Sequence, residues 1–265
     1  MNPEGSAKVQ LARQIGVASG EAAKALARTM PAGDVGDVLR EMAGNERASV
    51  RTLVLELASE HPSEGASRAV LSRLQDSNLT VRSIANSQIA RIAQKSLVPE
   101  LFKAMEQNSD LAVKGALVRQ IGMIGDATDL PRLRQLYRDT QDAGFRNDIA
   151  VAAARLGDEQ YRQQLIQRLT APEETERAAA LRDIPYVGDP RLARYFRPVL
   201  EDRRDVMVIS FPHDPVVTGR VCDLAVQTLA ALGVKFSFAA FPTRRFTDLE
   251  IQEAIRIVTA LEKVE

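Results

Sequence analysis

Short segments of one kind recur along the chain: ASVR from Ala48, LTVR from Leu79, LAVK from Leu111, AGFR from Ala143 and ETER from Glu174. Aligned on the residue before the basic one, they give Val50, Val81, Val113, Phe145 and Glu176, separated by 31, 32, 32 and 31 residues. A period of that length marks stacked supersecondary units, none of which buries its apolar face alone. In such a stack the core runs along the array, so the 265 residues set the number of units rather than the number of domains.

Each unit reads as a helical hairpin. Over 79–93, Val81, Ile84, Ala85, Ile89 and Ile92 follow a spacing of three and four, and Asp76 and Asn78 stand ready to accept from the first free amides. A second helix over 97–106 buries Leu101, Phe102 and Met105, with Pro99 in its first turn, where a missing donor is harmless. The same pairing is read at 110–124 with 130–137, 144–156 with 161–169 and 174–187 with 192–200. Upstream, 49–58 pairs with 68–74, and a less regular pair covers 21–30 and 35–42. Gly125-Asp126, Gly157-Asp158 and Gly188-Asp189 each stop a first helix. Aromatic residues make up 5% of the chain and Trp is absent, which suits close-packed Ala and Leu helices better than a sandwich of strands.

The segments VRSIANSQI from Val81, VKGALVRQI from Val113, FRNDIAVAA from Phe145 and RAAALRDI from Arg177 resemble HEAT repeats, in particular the short bacterial kind first noted in bilin lyases. The resemblance runs over about residues 20–232. It implies an all-α, armadillo-like superhelix, a right-handed solenoid of about six hairpins whose VR-bearing helices line the concave side. It also implies a ladder in which the acidic turn of one unit meets the basic residue of its neighbour. Arg51, Arg82, Lys114, Arg146 and Arg177 would then be structural.

After Leu200 the period breaks: Val221 is next in register, but 45 residues after Glu176. We therefore expect an N-terminal segment at 1–18, repeats at 19–202 and an atypical last unit with a C-terminal cap at 203–265. Two apolar runs, 206–211 and 234–238, have the length of short strands and are expected to pair as a small sheet closing the stack. Phe211, Phe241, Arg244, Arg245 and Phe246 form either an aromatic and basic patch or a hydrophobic lid on the last repeat, before a final helix over 247–261.

Chemistry is narrowed by subtraction. The two histidines, His61 and His213, lie 152 residues apart, and Cys222 is the single cysteine, so a His-rich metal site and an internal disulfide are excluded. His213 reads as a loop histidine between prolines. Cys222 falls on an inward helix position with no basic partner evident from the sequence. No phosphate loop follows a strand. No catalytic residue, cofactor or metal is expected. Lys plus Arg and Asp plus Glu each total 35, with no basic tail, which disfavours nucleic acid as a partner. No apolar run is long enough to cross a bilayer and none opens the chain, so a cytoplasmic protein is expected, or an exported one if a leader has been removed.

What remains is surface. Six positions after the aligned column stand Glu56, Ser87, Arg119, Val151, Arg182 and Gln227; ten after stand Glu60, Arg91, Met123, Arg155, Tyr186 and Ala231. These columns describe a groove acidic at its first unit and Arg-rich in the middle. The expected partner-binding residues are Arg119, Arg155, Arg182, Met123 and Tyr186, with each Arg meeting a partner carboxylate. The function expected is a non-catalytic scaffold or adaptor holding a protein or peptide in the concave groove. The alternatives are a lyase or lyase subunit of the bilin-lyase type, and a HEAT-like DNA glycosylase.

Overall fold

The computed structural model describes residues 3–208, 217–241 and 244–263. These residues form fifteen α-helices and one two-stranded sheet: α1 (Pro3–Gly16), α2 (Gly20–Ala27), α3 (Ala32–Met42), α4 (Ala48–Glu60), α5 (Glu64–Leu71), α6 (Leu79–Ser87), α7 (Val98–Gln107), α8 (Leu111–Ile124), α9 (Leu130–Asp139), α10 (Ala143–Arg155), α11 (Glu159–Leu169), α12 (Glu174–Val187), α13 (Arg197–Leu200), β1 (Asp205–Val208), β2 (Val217–Arg220), α14 (Val221–Ala231) and α15 (Asp248–Glu262). The architecture is the expected all-α, HEAT-like arrangement of paired helices with a short β-hairpin in the modified C-terminal region. The chain divides within α10 into two compact units, Met1–Ala152 and Ala153–Glu265.

In the first unit, α3 packs on α5 and α5 on α7, while α4 packs on α6, so second helices meet second helices and first helices meet first helices. The N-terminal stretch is a helix: α1 packs on α2 and α3 through buried Leu11 and Ile15. At the crossing of α3 and α5 the backbones nearly touch. A Cβ on Gly65 would lie 2.4 Å from the carbonyl of Gly36, and one on Gly36 would meet the Ser63 hydroxyl. Two buried glutamines tie successive repeats together: the Gln88 Nε2 donates to the Leu55 carbonyl at 2.9 Å, and Gln120, 32 residues on, donates to that of Ile92.

The helix expected over 79–93 ends at Ser87, and a 3-10 turn, Ile89–Arg91, comes after it. Asn86, Ser87 and Gln88 are poor choices for continuing a helix, and the Ser87 hydroxyl bonds back to the Ile84 carbonyl. The glycine stops differ among themselves. Gly157 and Gly188 have φ of +100° and +68°, whereas Gly125 is extended at φ −77°; there a side chain would run into the Asp129 carboxylate and the Ile121 carbonyl. The aspartate after each glycine caps the next helical turn: Asp126, Asp158 and Asp189 accept from the amides of Thr128, Gln160 and Arg191.

In the second unit, α11 packs on α12, α12 on α14, and α13 on α15. Pro185 sits inside α12 and has no N–H for the Leu181 carbonyl; the Thr228 hydroxyl of α14 donates to that carbonyl instead, at 3.0 Å. The small sheet differs from the expected one. β1 pairs antiparallel with β2, Asp205 opposite Arg220 and Val208 opposite Val217, and residues 234–238 are not a strand. The local partner closes a shorter loop, and the amide of Ser237 is bound by the Glu253 carboxylate at 2.7 Å rather than by a neighbouring strand. Phe211 and His213 lie outside the described residues. Asp223, 2% exposed, accepts from the Arg220 guanidinium and from the amides of Arg220 and Phe246, pinning the start of the last segment to α14.

Three buried aspartates, Asp76, Asp202 and Asp223, predict how acid acts on the fold. Burial opposes their ionisation. It is outweighed by Arg51 and the Asn78 amide at Asp76, by Arg204 at Asp202, and by Arg220 and the Phe246 amide at Asp223, so each carboxyl is held below the usual 3.8. The native state therefore binds fewer protons than the unfolded chain, and this stabilisation is complete above that value and lost as pH falls through the lower folded ones. The urea midpoint should be flat from neutral pH to about pH 5 and fall steeply below about pH 4. A midpoint that rises on acidification in that range would refute the assignment.

Candidate functional site

Two of the five basic residues of the repeat column meet an aspartate 25 residues on. Arg51 of α4, 8% exposed, grips Asp76 with Nε and Nη2, both at 2.8 Å, while its Nη1 donates to the carbonyls of Asn45 and Glu46. Arg177 of α12 reaches Asp202 at 3.2 Å, again 25 residues on, and also donates to the Ala171 carbonyl. The other three cations find different partners. Asn108 holds the place of Asp76 one repeat later, its side chain accepting from the Asp110 amide as Asp76 accepts from Asn78. An amide offers no counter-charge, and Arg82 turns to the Asp76 carbonyl at 2.6 Å. Lys114 lies over the ring of Phe145 at 5.9 Å and Arg146 over that of Tyr137 at 4.5 Å.

The expected partner-binding residues fall on first helices in each unit. In the first, Arg119 of α8 bonds Asp148 of α10 at 2.6 Å. Gly115 makes room for this: a Cβ there would lie 2.3 Å from the Asp148 carboxylate. One turn beyond Arg119, Met123 is 49% exposed. In the second unit Arg155 donates to the Tyr186 carbonyl and lies over its ring at 5.3 Å, while Arg182 is exposed on α12. Three members of the columns depart from the expected pattern. Val151 is 1% exposed and belongs to the core, and the acids Glu56 and Glu60 of the first unit are met by Lys24 at 3.2 and 3.8 Å. Asp148, the internal partner of Arg119, carries no signal in the sequence, because only the fold brings two positions 29 residues apart into contact.

The C-terminal residues are mostly engaged within the unit. Phe246 is buried, Arg244 lies over it at 5.1 Å and bonds Glu250, and Arg245 bonds Asp205 at 2.6 Å, leaving Phe241 exposed. Cys222 is fully buried, and burial pushes its thiol above the usual range. A basic neighbour that the sequence does not reveal, Arg203, places Nη1 3.5 Å from its sulfur. Among the described residues no group of three His, Cys, Asp or Glu is placed to hold a metal ion, and no helix is long and apolar enough to cross a membrane.

A family-model match agrees with the repeat architecture. Residues 67–154 match the family model for HEAT repeats. No curated protein sequence matches the chain. Among solved structures, the complex of CpcE and CpcF of phycocyanin lyase from Nostoc sp. PCC7120 is similar, with a TM-score of 0.46 and 15% identity over 96% of this chain and 87% of that one.

Proposed function

We propose that this HEAT-repeat chain is a non-catalytic scaffold or adaptor that binds a protein or peptide partner on the exposed faces of its first helices. The observation that carries the reading is that an arginine is held in place beside an adaptable or aromatic side chain in each unit: Arg119 by Asp148 next to exposed Met123, and Arg155 by Tyr186. A guanidinium whose position is already fixed keeps further donors for a partner carboxylate and loses less freedom on binding. Arg, Tyr and Met are the side chains that anchor such contacts.

The test is affinity capture with Met123→Asp, at an exposed position, beside the unaltered chain, with circular dichroism to show that both are folded. Loss of a captured protein from the variant alone is the expected outcome; an unchanged set of captured proteins removes the surface assignment. Arg119 and Arg155 are unsuited to charge reversal, since glutamate at either position would also break an internal contact. The competing reading, a lyase or lyase subunit of the bilin-lyase type, is supported by the kind of repeat read in VRSIANSQI and VKGALVRQI. Visible absorption that stays with the purified protein would replace the adaptor reading with that one.

A further inference from the structure

Beside the turn that follows α6 the first unit holds a pocket of about 270 Å³, whose apolar wall is Ala58, Pro62, Ala66, Val70 and Ile92. That volume lies between the ~150 Å³ that accepts a benzene ring and the ~300 Å³ where pockets for drug-sized molecules begin. One polar group inside it is left over. Gln88 lines the pocket and is 7% exposed; its Nε2 donates to the Leu55 carbonyl of α4, and its Oε1 is buried without a partner. Turning the amide over would set two carbonyl oxygens against each other, so the oxygen is the atom left for the pocket.

The neighbouring hydroxyls do not serve it. The Ser67 hydroxyl donates to Gln94 at 2.7 Å and that of Ser59 to the Glu56 carbonyl at 2.7 Å. Gln120, at the equivalent place one repeat on, makes the equivalent backbone bond with no buried oxygen left unpaired. The feature therefore belongs to this pocket rather than to the repeat. A buried acceptor without a partner costs free energy that an incoming donor recovers.

From this geometry we infer a binding site for a small, uncharged, mostly apolar molecule of one or two rings carrying a single N–H or O–H donor aimed at Gln88 Oε1. A cation finds no carboxylate in the lining; the one charged lining residue, Arg91, turns Nη1 to the Ser59 carbonyl at 3.4 Å, and an anion reaching into the pocket would set its lone pairs against the Gln88 oxygen. The inference is independent of the adaptor reading, which concerns Met123 and the arginines.

Indole and indene, nearly identical in shape but differing in the N–H, test it by amide NMR titration of the full chain. Indole should bind about 5- to 10-fold more tightly than indene, with shifted signals confined to residues 58–92. Gln88→Met should abolish that preference while leaving indene affinity within about twofold. The comparison on the unaltered chain stands even if the variant does not fold. Equal binding of the two probes, binding of neither, or shifts centred elsewhere would overturn the site.

Discussion

Asp76→Ala should destabilise the first unit by about 3–5 kcal/mol, because it leaves the Arg51 guanidinium buried without its counter-charge. The two side chains are 9% and 2% exposed, so neither solvent nor salt screens them as it would a surface pair. Asp76 also accepts from the Asn78 amide, which begins the turn into α6, so its loss loosens two elements at once. Asp76→Asn should cost less than the alanine, since it keeps the shape and the acceptor for Asn78, but it still leaves Arg51 without its counter-charge; Asn108 supplies the same turn acceptor one repeat later. Urea unfolding tracked by far-UV circular dichroism reads both variants. Because stacked repeats need not unfold in one step, hydrogen exchange in α4 and α6 should accompany it. A loss below about 1 kcal/mol for the alanine variant would remove the buried pair as a determinant of stability.

Gly65→Ala should also destabilise the chain, although alanine is the better helix former by about 1 kcal/mol. The added methyl would lie 2.4 Å from the Gly36 carbonyl and 3.0 Å from the Asp37 amide, distances that only a movement of backbone relieves. Overpacking of this kind costs about 1–3 kcal/mol and more where backbone must yield, so the clash outweighs the propensity gain and the net loss should be about 2 kcal/mol. Gly33→Ala is the control: a Cβ there meets nothing within 4 Å, and that change on α3 should be neutral or stabilising. If the two substitutions behave alike, the close approach of α3 and α5 does not hold in solution.

Legibility in the sequence tracks locality. Helix α12 is readable at its observed bounds, 174–187, because its apolar spacing lies within the element and the Gly188-Asp189 stop follows it directly. The end of α6 is hidden although Asn86 and Ser87 announce it, since apolar periodicity runs on through Ile89 and Ile92. The partner of β1 is obscured because residues 234–238 have strand composition, while the true partner comes after a short connection and is itself only four residues long. For the candidate surface, repeat columns locate Arg119 and Arg155 but not what holds them. Asp148 fits against α8 only because position 115 is a glycine, and the bond from Arg155 goes to a backbone carbonyl, which side-chain identity does not announce.

The bond from Thr228 to the carbonyl that Pro185 leaves open bears on how the second unit is made. Its donor lies 47 residues downstream of its acceptor, beyond the β-hairpin. A nascent chain that has emerged only as far as α13 therefore holds a complete α12 sequence with one carbonyl still turned to water. That turn acquires its dry, protein-bonded form only once α14 has been synthesised and has docked, which ties the maturation of the last repeats to the order of their emergence.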